Sequence, residues 1–282
     1  MPTTAPYLRP TRLEDALASL QAGSRVILAG GTDYYPSRVG RPLDDDVLDI
    51  SAISGLRTLR QEHGYWRIPA LATWSDVLSN ERLPSMFDGL KRAAREVGGT
   101  QIQNMGTVCG NLSNASPAAD GIPVLLALDA EVELTSCRGI RRLRVADFVL
   151  GNRKTARASD ELMTAVLVKE CADPVRSTFL KLGARRYLVI SIAMVAVVVA
   201  LSGDGHIANA AVAVGACSPA AKRLPGLEAA LRGGRLRVEL ADLVSADHLA
   251  PLSPIDDIRG TAAYRSDAVL TLIRRAIMDL CR

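Results

Sequence analysis

Residues 106–120 read GTVCGNLSNASPAAD, and a shorter glycine-rich stretch, AGGTD, stands at residues 29–33. We call residues 29–33 the first glycine segment and residues 106–111 the second. Glycine lets the chain turn tightly and lets a ligand come within hydrogen-bonding distance of the backbone. A phosphate needs several backbone amides that converge on it. We therefore interpret the two segments, each predicted to follow an extended stretch, as two halves of one cradle for a diphosphate cofactor.

The sequence around the two segments predicts where helices begin. Thr11 and Glu14 fit a capping box for a short amphipathic helix that ends at Gly23. Residues 25–29 read as a strand that leads into the first glycine segment. After the second segment, Ser116 is a predicted N-cap, with proline at the first helical position, for a helix that continues through residue 127.

The remaining pattern indicates an α+β chain with a domain boundary at residues 172–174, where Ala-Asp-Pro interrupts it. Before this boundary we predict strands at residues 65–68, 131–135 and 162–168, and helices near residues 73–76 and 86–97. After it we predict three strands, at residues 178–182, from Leu188 onward and at 207–214, and then three helices, at residues 225–232, 237–248 and 257–280.

Composition excludes several classes of protein. The net charge of +4 comes from 34 basic and 30 acidic residues, and the one basic cluster, residues 138–144, reads as a solvated turn and edge strand. Nucleic acid is therefore not an expected partner. The five cysteines show no metal-ligand spacing, so we expect no metal or iron–sulfur site here. Residues 188–201 are too short to cross a membrane, and residues 1–6 lack a signal pattern, so we expect a cytoplasmic protein.

Taken together, these motifs resemble the flavin-binding subunit of the molybdenum hydroxylases, the family of bacterial xanthine and carbon monoxide dehydrogenases. The resemblance covers nearly the whole chain. It rests on residues 29–33, the block 106–120, the segment KLGARR at residues 181–186 and the pair Tyr264-Arg265. The block 106–120 is the specific part, because a lone Gly-Gly-Thr is a weak signal.

The resemblance implies a fold and a cofactor. Residues 1–174 would form an FAD-binding domain of the vanillyl-oxidase (PCMH) type, with lobes of about residues 1–54 and 55–174. Residues 175–282 would form a C-terminal domain with a three-stranded antiparallel sheet and three helices. FAD would lie between the lobes, with its diphosphate held by Ile27, Leu28, Ala29, Gly30, Gly31, Thr32, Asp33, Tyr34, Thr107, Val108, Cys109, Gly110 and Asn111.

Five further residues are candidate cofactor contacts, each with a structural alternative. Asp120 matches an acidic family position, or is an acid in a first helical turn. Ser116 is a contact or a helix cap. Val97 matches an apolar family position, or packs in the interior. Lys181 matches a family lysine near the flavin, or is a solvated strand residue. Tyr187 lies against the isoalloxazine ring, or belongs to the core.

The sequence departs from the family pattern in three ways. Cys109 stands where the family usually has a second glycine, so a positive φ required there would be strained. Leu188 and Val189 lack an acidic residue that some members carry, which affects flavin-edge and nicotinamide contacts. No cysteine-rich insertion is present, so we expect this subunit to hold flavin alone.

The resulting functional hypothesis is an electron-transfer flavoprotein subunit with no catalytic acid or base. It would take electrons from a small [2Fe–2S] subunit and pass them through FAD to an acceptor such as NAD⁺, while a molybdopterin-binding large subunit hydroxylates the substrate. A dimer of heterotrimers is the expected assembly. The alternatives are a self-contained FAD-dependent oxidoreductase and a cofactor-free accessory subunit, which Cys109 would favour.

Overall fold

The computed structural model describes residues 6–42 and 44–282. Residues 1–5, on which most of the expectation about a leader rests, lie outside the described residues. The strands are β1 (Tyr7–Leu8), β2 (Val26–Leu28), β3 (Val47–Asp49), β4 (Arg60–Glu62), β5 (Tyr65–Pro69), β6 (Glu131–Ser136), β7 (Gly139–Arg144), β8 (Val149–Gly151), β9 (Lys154–Thr155), β10 (Leu162–Lys169), β11 (Val175–Leu182), β12 (Ala193–Leu201), β13 (Ile207–Gly215) and β14 (Lys222–Arg223). The α-helices are α1 (Leu13–Ala22), α2 (Trp74–Ser79), α3 (Asp88–Glu96), α4 (Thr100–Met105), α5 (Val108–Asn114), α6 (Gly121–Ala127), α7 (Val145–Phe148), α8 (Pro225–Leu231) and α9 (Ala262–Leu280).

The first lobe is a three-stranded parallel sheet, in the order β1-β3-β2, covered by α1. The apolar face of α1, with Leu17 and Leu20, packs in one core with Leu48 and Ile50 of the sheet region. The predicted capping box is wrong. The helix begins one residue later than the box requires, so its N-cap is Arg12, which makes no side-chain capping bond.

The second lobe is built on a five-stranded antiparallel sheet in the order β4-β5-β10-β6-β7. Its edge strand β7 carries the basic cluster, and the strand is almost entirely exposed. Arg138 pairs with Asp160, Arg141 with Glu161 and Arg144 with Asp147. The prediction of a solvated edge strand is therefore confirmed, and most of the cluster's charge is locally neutralised.

Helices α2 to α6 lie next to this sheet and carry the second glycine segment. Helix α2 begins with a complete capping box between Thr73 and Asp76, where a helix is predicted. The stretch before Gly106 is helix α4 and not extended, because its backbone closes local bonds such as Gly106 N to Ile102 O at 2.7 Å. The prediction of an extended stretch there is wrong.

The chain after residue 174 pairs β11, β12 and β13 in an antiparallel sheet, with the short β14 at one edge. Helices α8 and α9 pack on one face of this sheet. The predicted strand from Leu188 begins only at Ala193, because Leu188 adopts a φ of 51°, which a strand does not accommodate. Residues 237–248, predicted as one helix, form two short 3₁₀ segments, Val238–Leu243 and Ala246–Leu249.

The other face of this sheet packs against the second lobe. One apolar core contains Phe179, Met194 and Ala196 of the sheet together with Leu90 of α3 and Val124 of α6. Side chains on β11 and α6 are thereby brought next to each other, although they lie far apart in the sequence.

Candidate functional site

A cavity of about 600 Å³ lies between the two lobes, and both glycine segments form part of its wall. This volume is within the range of protein pockets that enclose small ligands. The first lobe supplies β2 and residues 29–34, and the second lobe supplies the start of α5, the turn between β8 and β9 and the start of β10. Of the predicted contacts, the wall includes Ile27, Leu28, Ala29, Gly30, Gly31, Thr32, Asp33, Tyr34, Val97, Thr107, Cys109, Gly110 and Asn111.

The two glycine segments are in direct contact. A Cβ atom placed on Gly30 would lie 1.9 Å from the carbonyl oxygen of Met105 and 3.1 Å from the Cα of Gly106. The distance of 1.9 Å to a backbone oxygen is far below a van der Waals contact, so only glycine permits the approach. Gly31 adopts a φ of +68°, which is also a conformation that favours glycine. The contact makes the two segments one continuous wall.

The first glycine segment leaves its amide groups free. The N–H groups of Gly30, Gly31, Thr32 and Asp33 donate to no acceptor among the described residues. Buried or partly buried amides nearly always find a partner, and successive free amides in a turn form a concave anion-binding site. The observation fits the diphosphate role that the sequence predicts for this segment.

The second glycine segment is the beginning of helix α5. Thr107 is its N-cap, and the Thr107 hydroxyl oxygen accepts a 2.9 Å hydrogen bond from the amide of Gly110. Two backbone bonds tie the segment to the start of α2: Trp74 N donates to Gly106 O, and Val108 N donates to Ala72 O, both at 3.1 Å. These bonds fix the position of the start of α5 at the cavity wall.

Cys109 causes no backbone strain. It lies within α5, it does not have a positive φ, and its side chain is only 3% exposed. The thiol lies 3.6 Å from the carbonyl oxygen of Ile68, and burial raises the pKa of Cys109 to about 12. A strained dihedral was expected only if this position required a positive φ, and the helix does not require one.

Five predicted contacts are not on the cavity wall. The side chain of Val108 packs in the apolar core, and the Ser116 hydroxyl accepts a bond from Ala118 N at 3.3 Å. Ser116 is not the N-cap of α6, because that helix begins only at Gly121. Tyr187 is 66% exposed and carries the Arg186 guanidinium near its ring, so the alternative of a core tyrosine is wrong.

The other two, Asp120 and Lys181, form a buried ion pair. Lys181 Nζ lies 2.7 Å from Asp120 Oδ2, and the Ser191 hydroxyl donates to Asp120 Oδ1 at 2.8 Å. Burial raises the pKa of Asp120, and the contacts with Lys181 and Ser191 oppose that rise. The alternative of a solvated lysine is wrong. Lys181 Nζ also lies 3.5 Å from the carbonyl oxygen of Glu96, the residue before Val97, so the pair is close to the cavity. Cofactor contact by these five residues stays a prediction.

The cavity wall also contains residues that the sequence did not single out. Arg153 joins the two lobes, because its guanidinium bonds Asp33 Oδ2 at 2.9 Å and Asn114 Oδ1 at 2.7 Å. The sequence around Arg153 contains no motif that predicts a site residue, because Arg153 lies in a short turn between β8 and β9. Other missed wall residues are Arg25, Ser37, Arg38, Ile50, Ala70, Trp74, Ser113, Arg157, Leu162 and Met163. Four arginines and one acid, Asp33, stand on this wall, so its charge favours an anionic ligand.

Neither a metal-binding cluster nor a membrane-spanning helix is found among residues 6–42 and 44–282. No group of three or more histidine, cysteine, aspartate or glutamate side chains is arranged to hold a metal ion there. In the same part of the chain, no helix combines the length and the apolar character that a membrane crossing requires.

Two protein families account for most of the chain. Residues 2–168 match the FAD binding domain in molybdopterin dehydrogenase, and residues 178–280 match the CO dehydrogenase flavoprotein C-terminal domain. The medium subunit of nicotine 6-hydroxylase from Paenarthrobacter nicotinovorans is 33% identical over 280 residues, which cover 97% of this chain and 96% of that protein. The glyceraldehyde dehydrogenase medium chain of Sulfolobus acidocaldarius is 30% identical over 276 residues and 97% of both chains.

Solved structures show the same fold. The chain superposes on carbon monoxide dehydrogenase from Hydrogenophaga pseudoflava with a TM-score of 0.89 and 28% identity, covering 99% of this chain and 98% of that one. Reconstituted CO dehydrogenase from Oligotropha carboxidovorans gives a TM-score of 0.90 at 26% identity, covering 100% and 99%. The chain therefore belongs to the family of FAD-binding subunits of the molybdenum hydroxylases.

Proposed function

We propose that FAD lies in the cavity between the lobes and that this chain relays electrons from a [2Fe–2S] partner to an acceptor such as NAD⁺. The observation that carries the proposal is the first glycine segment, where four successive amides have no acceptor among the described residues and stand on the wall of a cavity that the second segment also lines. The free amides of the first glycine segment would hold the diphosphate, with the second glycine segment beside them on the cavity wall.

The residues of this chain bind and orient the cofactor. FAD, when bound, supplies the redox chemistry, since it can accept electrons one at a time and release them singly or as a hydride. Gly30 permits the contact between the segments, and Thr107 fixes the first turn of α5. None of the three histidines, His63, His206 and His248, is on the cavity wall. A relay needs no acid or base from this chain.

The relatives support a proposal about the partner subunits. Nicotine 6-hydroxylase and glyceraldehyde dehydrogenase each contain a medium subunit or chain similar to this one. We propose that this chain assembles with a molybdopterin-binding large subunit and a [2Fe–2S] small subunit, as a dimer of heterotrimers in the cytoplasm. We propose residue 174 as the boundary between the FAD-binding and C-terminal domains. The substrate would bind to the large subunit, so its identity is not encoded at this cavity.

Co-purification with the partner subunits tests the relay. We expect a yellow complex that contains FAD, iron and molybdenum, and whose flavin absorbance bleaches when substrate is added anaerobically and returns when NAD⁺ or another acceptor is added. Turnover at full rate by this chain alone, without iron or molybdenum, would establish a self-contained oxidoreductase. A folded, colourless chain that does not take up FAD would establish an accessory subunit.

A further inference from the structure

Four arginines stand on the cavity wall, and three of them have a carboxylate nearby. Arg153 bonds Asp33 at 2.9 Å, Arg38 bonds Asp45 at 2.6 Å, and Arg25 lies 3.7 Å from Asp46. The fourth, Arg157, has no carboxylate oxygen within 4.0 Å of its guanidinium among residues 6–42 and 44–282. Among the described residues of this wall, Arg157 is therefore the arginine that forms no ion pair with a neighbouring acid.

Neutral groups hold the Arg157 guanidinium in place. Its Nη1 donates to the carbonyl oxygens of Glu161 at 2.8 Å, Ala158 at 3.0 Å and Ser159 at 3.4 Å. These bonds orient the side chain but leave its full positive charge, because a carbonyl carries no net charge. No bond from Nε or Nη2 to another described residue is present, so both groups are available to a ligand.

The two acids that follow Arg157 most closely in the sequence form ion pairs with other arginines. Both carboxylate oxygens of Glu161 bond Arg141, at 2.5 and 2.8 Å, and one also accepts from Ala158 N at 2.7 Å. Asp160 pairs with Arg138. Burial lowers the pKa of Arg157, and the charges of Glu161 and Asp160 oppose that fall without an ion-pair contact to its guanidinium, which remains charged at neutral pH.

A partly buried charge with no carboxylate in direct contact is costly, and an anionic ligand in contact with it would reduce that cost. In oxidised FAD the only ionised group is the diphosphate, because the isoalloxazine and adenine rings are neutral. We propose that Arg157 is a cofactor-binding residue whose guanidinium neutralises the FAD diphosphate. This inference rests on the proposed function, since it needs FAD in this cavity.

Ligand affinities of the full 282-residue chain, freed of flavin, test the proposal. The variants are Arg157→Gln, Arg157→Lys, which keeps the charge, and Lys154→Gln, an exposed cation in the same region and away from the cavity wall. The probes are FAD, ADP, which retains the diphosphate, and riboflavin, which lacks it. For Arg157→Gln we expect about tenfold weaker binding of both FAD and ADP, in line with a charge-assisted hydrogen bond.

The remaining outcomes are equally specific. Riboflavin affinity stays unchanged in every variant, Arg157→Lys stays within about threefold of the parent for FAD, and Lys154→Gln matches the parent. Equal FAD affinity of Arg157→Gln and the parent would overturn the proposal, as would a matching loss of riboflavin affinity. A parent chain that binds no FAD would refute the proposed function instead.

A second measurement needs no variant and covers the case in which Arg157→Gln does not fold. Phenylglyoxal modifies accessible arginines, and mass spectrometry of peptides reports the rate at Arg157. We expect ADP to slow modification of Arg157 at least fivefold in the unsubstituted chain and riboflavin to leave it unchanged. Modification of Arg157 at the same rate with and without ADP would contradict the proposal.

Discussion

The two glycine segments have similar composition but meet different structural requirements. In the first, Gly30 is needed because a Cβ atom would overlap the Met105 carbonyl, and the amides stay free. In the second, Gly110 lies in the capped helix α5 and Gly106 precedes its N-cap, and a buried cysteine is accommodated at position 109. A glycine-rich motif therefore contains positions that only glycine satisfies and positions that other residues can occupy, and the sequence alone does not distinguish them.

The largest effect is expected from Gly30→Ala, which tests the contact between the segments. The added methyl group would lie 1.9 Å from Met105 O, so the two segments must separate. We expect loss of FAD on gel filtration and a lower thermal midpoint. Gly55→Ala is the matched control, because nothing lies within 4 Å of a Cβ at Gly55. Retention of FAD by Gly30→Ala would show that the segments are not held in this contact.

The next effect concerns position 109, where the structure indicates that glycine would be less favourable than the cysteine that is present. Cys109→Gly removes a buried side chain and places glycine in a helix, so we expect a loss of about 1.5 kcal/mol in the free energy of unfolding. FAD affinity should remain near that of the parent. A variant more stable than the parent in urea denaturation would show that this position needs glycine after all.

A smaller effect is expected from Thr107→Ala, which removes the cap of α5. The hydroxyl that accepts from Gly110 N is lost, and N-cap removal costs about 1 kcal/mol. The same denaturation experiment measures it. Thr107→Ser retains the hydroxyl and should recover most of the loss. If Thr107→Ser is as unstable as Thr107→Ala, the methyl group of Thr107 and not the cap is responsible.

The smallest perturbation is chemical and leaves the chain unsubstituted. Burial raises the pKa of Cys109 to about 12 and that of Cys217 to about 11, so almost no thiolate exists at pH 8. We expect Ellman's reagent to modify the exposed Cys137 and Cys171 readily, and Cys109 and Cys217 only after unfolding. Fast modification of Cys109 in the native protein, located by peptide mass spectrometry, would show that its thiol is open to the cavity.

Local patterns in the sequence predicted local structure well. The strand before the first glycine segment, the start of α2 and the strands β5, β6 and β10 were predicted because each follows from neighbouring residues. The errors also have local causes. The start of α1 differs by one residue from the predicted box, and residues 100–105 are helical although they lie between glycines.

The candidate site was predicted only in part, because part of it depends on long-range contacts. Residues 27–34 lie on the cavity wall, because they form the end of β2 and the segment that follows it, and their contact with the cofactor stays a prediction. The sequence indicates both Asp120 and Lys181, but their pairing with each other depends on how α6 packs against β12, the strand that pairs with β11. Arg153 and Arg157 were missed, because a short turn between strands carries no pattern that indicates its neighbours.

By itself, the sequence determined the family, the α+β class and the glycine segments, because these are encoded in contiguous motifs and local backbone preferences. Only the tertiary structure decided that Gly30 is sterically required, that Arg157 contacts no carboxylate among the described residues and why Cys109 is tolerated. Those properties depend on atoms from segments far apart in the chain: Met105 against Gly30, Arg141 against Glu161 and Ile68 against Cys109. Steric overlap, charge balance and burial are set by such neighbours, and folding alone brings them together.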